Sequence, residues 1–240
     1  MLRKSLFFIV VQSFLSSLAI IQVFSCEVLA AVIVYAFDVD GVLTPVRSSW
    51  HFVKRVLGIG NRFDGYAHLF FSGLITYDEW VYLELRLVKG VSLDVLKKIL
   101  SSIPWRCGIE ELVEFKRSRS GDLFIAVTGG MLCERVVKEL GFDACIGVEV
   151  EAANGRLTGF AKSYTDFHSK GMVLTDFLYE KGIKPSKVIC IGDSINDLGM
   201  FKYCDISIAF CPSNMIKKSH AHIYIPSCSI KKLIEVLKQL

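Results

Sequence analysis

The stretch Val32-Ile33-Val34-Tyr35-Ala36-Phe37-Asp38-Val39-Asp40-Gly41-Val42 decides how the rest of the chain is read. Its first six residues are continuously apolar, the character of a strand buried on both faces of a parallel sheet. The run stops at two carboxylates separated by one residue, and Gly41 then lets the chain turn. If the extended conformation persists through Val39, both carboxylates point the same way. Two anions so placed repel unless a cation or a shared proton offsets them. Ligands bind at the carboxyl ends of strands in open parallel sheets. An Asp-Gly turn would leave the same pattern, so this stretch alone keeps both readings open.

Working outward, residues 123–127, 187–191, 206–210 and 222–225 repeat the buried-strand character, and helical patterns at 131–140, 169–180 and 229–240 lie between and after them. The last helix places Ile230, Leu233, Ile234 and Leu237 on one face, with Ser229 as its cap. This alternation predicts an α/β fold, a three-layer Rossmann-like parallel sheet with right-handed crossovers. Residues 45–110 break the alternation. They are rich in aromatics and read as several helices, clearest at 77–87 and 92–100. They are read as a helical cap inserted after the first strand, which leaves 31–44 and 111–240 as the core. Asn154-Gly155, between two short β-like runs, predicts a hairpin within 147–160.

Composition narrows the function classes. The 240 residues are 52% apolar with only five prolines, which excludes a disordered or collagen-like chain. A net charge of +4 gives no electrostatic reason to expect nucleic acid as a partner. Eight cysteines form no CxxC pair and no zinc-type cluster, and Cys190 lies in an apolar run, so they are expected to be reduced thiols serving as small core residues. No charged residue lies between Lys4 and Glu27, and residues 6–24 are mostly apolar. Residues 1–30 therefore read as a signal peptide or an anchor making membrane contact through 6–24, or as the product of a start set upstream of the true one. With the first reading the protein is anchored or exported; with the second its catalytic core is cytoplasmic.

Three more pieces carry chemistry. Gly192-Asp193-Ser194-Ile195-Asn196-Asp197 follows a buried run, so Asp193 and Asp197 can face the same sheet edge as Asp38 and Asp40. A capped helix start would look alike, but several carboxylates at one edge make an oxygen-rich site of the kind Mg²⁺ takes. Thr128-Gly129-Gly130 ends another strand and offers a hydroxyl and unhindered backbone N–H groups to an anion. Lys170 opens a helix, where the helix dipole disfavours a cation; a solvated surface lysine is the plainer reading.

These pieces in this order resemble the haloacid dehalogenase superfamily and its Mg²⁺-dependent phosphatases, over essentially all of residues 32–240. Asp38-Val39-Asp40-Gly41 matches the first motif, Thr128 the second, Lys170 the third, and Gly192-Asp193 with Asp197 the fourth. The insert after the first motif and the Asn154-Gly155 hairpin look like the phosphoserine phosphatase branch. The resemblance implies an aspartyl-phosphate route for a small phosphorylated metabolite. Asp38 would be the nucleophile and Asp40 the acid and base. Asp38, the Asp40 carbonyl, Asp193 and Asp197 would serve Mg²⁺, and Thr128, Gly129 and Lys170 would hold the phosphoryl group.

The chain departs from that branch in its substrate contacts. Arg47 stands nine residues after the nucleophile, where the branch carries a glutamate for the substrate ammonium, and Glu84, with Arg86 near it, aligns with a cap arginine. Such a reversal disfavours phosphoserine and favours a substrate with a second acidic group. Arg47, His51 and Arg55 are the expected pocket residues, whereas Trp50, Phe70, Phe71 and Trp80 read as packing inside the helical insert. Two rivals share these features: a phosphotransferase or mutase using the same aspartate, and a non-catalytic phospho-receiver or binding module.

Overall fold

The computed structural model describes residues 31–165 and 169–240, with the side chains of all of these but 60–64. The signal or anchor reading of residues 1–30 lies outside the described residues. Among the latter, no helix is long and apolar enough to cross a membrane.

Strand β1 (Ile33–Phe37) is followed by helices α1 (Ser49–Val56), α2 (Gly60–Phe71), α3 (Tyr77–Leu87), α4 (Leu93–Ser101) and α5 (Ile109–Ser118). Then come β2 (Leu123–Val127), α6 (Cys133–Leu140), β3 (Ala144–Ile146), and the hairpin β4 (Glu149–Ala153) and β5 (Arg156–Ser163). The chain closes with α7 (Lys170–Glu180), β6 (Lys187–Gly192), the short α8 (Leu198–Phe201), β7 (Ile206–Phe210), β8 (Ile223–Ile225) and α9 (Ile230–Leu237).

Six strands form one parallel sheet in the order β3-β2-β1-β6-β7-β8. β1 is central, with Phe37 level with Ala126 of β2 and Ile191 of β6. Its continuous apolar run follows from that place, because both faces are covered. Tyr35 and Phe37 pack with Phe124 and Phe142, the Tyr35 and Phe124 rings stacking at 4.7 Å. Val34 and Ala36 pack on the other face with Leu174, Leu178 and Met200. The fold is the expected Rossmann-like α/β arrangement. Asn154 (φ 50°) and Gly155 (φ 73°) both take the left-handed conformation of a tight hairpin turn.

Two elements were not predicted. β3 is three residues long and half-buried, too short for a periodic signal. α5 carries six charged or serine side chains among its ten residues, yet it buries Ile109, Leu112 and Phe115 and packs on α9.

The cysteine expectation is corrected. Cys133–Cys145, Cys190–Cys204 and Cys211–Cys228 are disulfides, and Cys107 is free and exposed. Cys190 is fully buried as expected, but as half of a bridge. Each pair joins a strand, or the loop just after one, to an adjacent helix or loop, across 12 to 17 residues of sequence. That spacing carries no motif; the crossover geometry alone brings the sulfurs together. Closing loops of this length restricts the unfolded chain by about 3 kcal/mol each. Reduction is therefore expected to lower the thermal midpoint. Thiol titration of the denatured protein should reveal at least six of its eight thiols only after reductant; a full complement without reductant would refute the bridges.

Candidate active site

Because β2, β1 and β6 are neighbours, parallel and in register, the residues that follow them land side by side. Asp38 follows β1, Thr128 follows β2, and Asp193 follows β6; all three are buried. Asp38 continues the ladder through its N–H to the Ile191 carbonyl (2.8 Å). One carboxylate oxygen each of Asp38, Asp193 and Asp197 lies within 4.8 Å of the others. Gly41, at φ +84°, permits this: a Cβ there would run into the Asp193 carboxylate.

Lys170 opens α7 and is 1% exposed, so the surface reading is corrected. Its Nζ lies 2.9 Å from Asp38 Oδ1 and 2.7 Å from Asp197 Oδ1. The other Asp197 oxygen accepts the backbone N–H groups of Asp193 and Ser194, both at 2.9 Å. Asp197 thus ties the loop after β6 to the lysine. Thr128 Oγ1 accepts from the Gly130 N–H (2.9 Å), which leaves its hydroxyl proton available for donation. Gly129 lines the cavity, and its carbonyl accepts from Trp50 Nε1 (2.9 Å).

Asp40 is treated differently from Asp38. Its Oδ2 accepts two hydrogen bonds from Ser49, from the backbone N–H and from Oγ, each 2.8 Å. Its Oδ1 is buried and has no hydrogen-bond partner among the described residues. Gly130 closes this corner, since a Cβ there would stand 2.7 Å from Asp40 Oδ2.

The charges are strained by burial. Burial, then the neighbouring Asp197, pushes the Asp38 carboxyl well above the usual carboxylate range, while Lys170 pulls it down. Burial and Asp197 push Asp193 up to about 7 against the opposing Arg47 and Lys170. Burial raises Asp40 too, and the Ser49 hydrogen bonds limit the rise. Burial disfavours the Lys170 ammonium, but Asp197 and Asp38 outweigh it and hold the proton more firmly than usual. Three buried carboxylates within 4.8 Å of one another, with Lys170 and Arg47 as their paired cations, make a site that a metal ion could occupy.

A cavity of about 150 Å³ opens over Asp38, Asp40 and Thr128. Arg47 lines it, but its guanidinium is paired with Asp193 and donates to the Cys211 carbonyl (3.1 Å). His51 and Arg55 are not among the lining residues, and Trp50, Tyr77 and Trp80 are. The aromatic expectation is therefore corrected for Trp50 and Trp80. Phe70, stacked on Trp80 at 4.8 Å, does not line the cavity, and Phe71 is exposed. Both indole N–H groups, of Trp50 on α1 and Trp80 on α3, have partners beside the cavity, in Gly129 and Glu84.

Sequence reasoning missed Ser49 and Arg106. Ser49 sits beside Ser48, which caps α1 by accepting from the His51 N–H (3.1 Å); a Ser-Ser pair before a helix was the available signal. Arg106 is buried and donates to the carbonyls of Gly41 (2.5 Å), Val42 (2.8 Å) and Thr44 (3.2 Å), holding the loop after Asp40. No local pattern marks it.

The comparisons with known proteins agree with this geometry. Residues 35–202 match the family described as haloacid dehalogenase-like hydrolase. A phosphoserine phosphatase of Archaeoglobus fulgidus is 31% identical over 184 residues, covering 75% of this chain and 53% of its own length. One of Campylobacter jejuni is 26% identical over 210 residues, covering 85% of this chain and 98% of its own. A solved phosphoserine phosphatase holding a phospho-aspartyl intermediate analogue superposes with a TM-score of 0.73 at 22% identity, over 86% of this chain and 99% of that one. The chain belongs to the haloacid dehalogenase-like hydrolase family, in its phosphoserine phosphatase-like branch. It is a phosphatase.

Asp193 must be anionic to hold a cation. With its carboxyl at about 7, divalent-cation affinity should rise with pH from 6 to 8, with proton release on binding. Calorimetric titration with Mg²⁺ at the two ends checks this; equal affinities would contradict it.

Proposed function

We propose that this protein hydrolyses a small phosphomonoester through an aspartyl-phosphate on Asp38, with Mg²⁺ as its metal. The observation that carries the reading is the unequal treatment of two carboxylates at one strand end. Asp38 is salt-bridged to Lys170 as a nucleophilic carboxylate requires, whereas Asp40 is held by Ser49 and keeps one unpartnered oxygen.

The donor set fits Mg²⁺, being all oxygen, compact and short of positive charge. Asp38, Asp193 and the Asp40 backbone carbonyl would hold it. Asp197, whose oxygens are spent on Lys170 and the loop, would orient the others. Bound there, the metal supplies positive charge to the phosphoryl oxygens.

This chain's residues do the rest. The Asp38 carboxylate attacks phosphorus, a P–O bond to Asp38 forms, and the ester P–O bond breaks as Asp40 gives its proton to the leaving oxygen. Asp40, now anionic, takes a proton from the water that displaces Asp38. Thr128 donates its hydroxyl proton to the phosphoryl group, Gly129 offers its N–H, and Lys170 offsets the developing charge. Residues 45–110 act as a cap that excludes bulk water from the site, on a core of 31–44 and 111–240.

Asp38→Asn is expected to abolish multiple-turnover phosphate release in purified protein, and chelation of Mg²⁺ to abolish it reversibly in the unmodified enzyme; turnover surviving both would overturn the reading. Ser49→Ala removes one of two hydrogen bonds to the Asp40 anion, a loss of about 1.5–3 kcal/mol. That raises the Asp40 pKa further, and Asp40 acts in its protonated form. The alkaline fall of kcat/KM should therefore move up by roughly one to two on the pH scale. An unmoved limb would remove Asp40 from the acid role.

A further inference from the structure

One wall of the cavity is unused by the phosphoryl chemistry. Trp50, Tyr77, Trp80, Val81 and Val148 line it. The polar atoms of its rings are turned into the protein: Trp50 Nε1 donates to the Gly129 carbonyl (2.9 Å), Tyr77 Oη to the Thr165 carbonyl (3.2 Å) and Trp80 Nε1 to Glu84 Oε1 (3.1 Å). Glu84 also lines the cavity, but it is buried and ion-paired with Lys54, which is itself fully buried on α1. The charges of that pair cancel. The Lys54 ammonium lies 5.7 Å from the Trp50 ring centre, so that ring already faces a cation. Arg47, the single Lys, Arg or His side chain among the described lining residues, is paired with Asp193 and donates to the Cys211 carbonyl (3.1 Å).

Beyond the phosphoryl group, then, the described wall is lined by aromatic rings and valine side chains, and its ionised side chains Arg47 and Glu84 are paired. A zwitterionic leaving group would be stripped of water there, and the Arg47 and Glu84 charges it would meet are already paired. A flat, uncharged one would gain apolar burial and stacking. We infer that the substrates of this enzyme are phosphate esters of uncharged, aromatic or similarly apolar alcohols, rather than phosphorylated amino acids. The inference rests on the hydrolase reading above for its activity test and on binding alone for its second test.

The comparison is between benzyl phosphate and phosphoserine, because both release an aliphatic alcohol and so differ little in intrinsic reactivity. With Mg²⁺ present, kcat/KM should favour benzyl phosphate by at least tenfold; equal rates, or a preference for phosphoserine, would overturn the inference. Trp80→Leu keeps apolar bulk but loses the ring face, and should cut that preference about fivefold; an unchanged preference also counts against it. Quenching of tryptophan fluorescence supplies the second test. Benzylphosphonate should bind at least tenfold tighter than 2-amino-4-phosphonobutanoate, and the reverse order refutes the wall assignment. If neither ester is hydrolysed while benzylphosphonate binds tighter, the hydrolase reading fails and the binding inference stands.

Discussion

The fold and the site both turn on one buried ammonium. Lys170 joins the end of β1, through Asp38, to the loop after β6, through Asp197. Charges this deep are tolerated only in pairs, and breaking a buried pair typically costs about 3–5 kcal/mol. The lysine also begins a helix, where the dipole opposes it; two carboxylates within 3 Å outweigh that opposition. Because Asp197 spends its second oxygen on the Asp193 and Ser194 amides, the same contact sets where Asp193 sits. The lysine thus holds the acidic cluster together as well as balancing it.

Packing supplies the precision that charge alone cannot. β1 lies between β2 and β6 with both faces covered, so its end is fixed on either side. Beyond it, Arg106 gathers the carbonyls of Gly41, Val42 and Thr44. Gly41 and Gly130 let the Asp193 and Asp40 carboxylates come closer than any side chain would allow. These devices act by backbone approach and backbone hydrogen bonds, while Val39, Val42 and Leu43 between them are fully buried in the core.

That division explains what could be read from the chain. Strands buried on both faces appear as unbroken apolar runs, and the β1 run and the carboxylates after it were therefore legible from the residues alone. So was the Asn154-Gly155 turn, whose conformation is local. Lys170 was different. On its own letters it is a surface lysine, and only the ordered motifs pointed elsewhere, because its burial is set by partners 27 and 132 positions away. Arg106 and the three disulfides were illegible for the same reason, since each depends on parts of the chain brought together by the fold, and Ser49 showed only as half of a Ser-Ser pair before a helix. The aromatic insert was misjudged because ring stacking in a bundle and ring lining in a pocket share one composition, and Trp80 does both.

The charged departures from the branch pattern acquire meaning only in three dimensions. Read as single letters, Arg47 and Glu84 exchange the signs expected of an ammonium contact and a carboxylate contact, which argues for a second acidic group on the substrate. In space neither charge is left over: Arg47 is engaged by Asp193, and Glu84 by Lys54 and the Trp80 indole. A reversal of sign that is internally neutralised does not invert specificity for charge; it removes charge from the recognition surface and leaves the rings to decide. The same pairings join the wall to the catalytic centre, for Arg47 holds the aspartate that the acidic cluster needs. With Asp193 as the proposed metal ligand, selectivity and metal affinity would be linked at Arg47, and the loss of its pairing would alter both together.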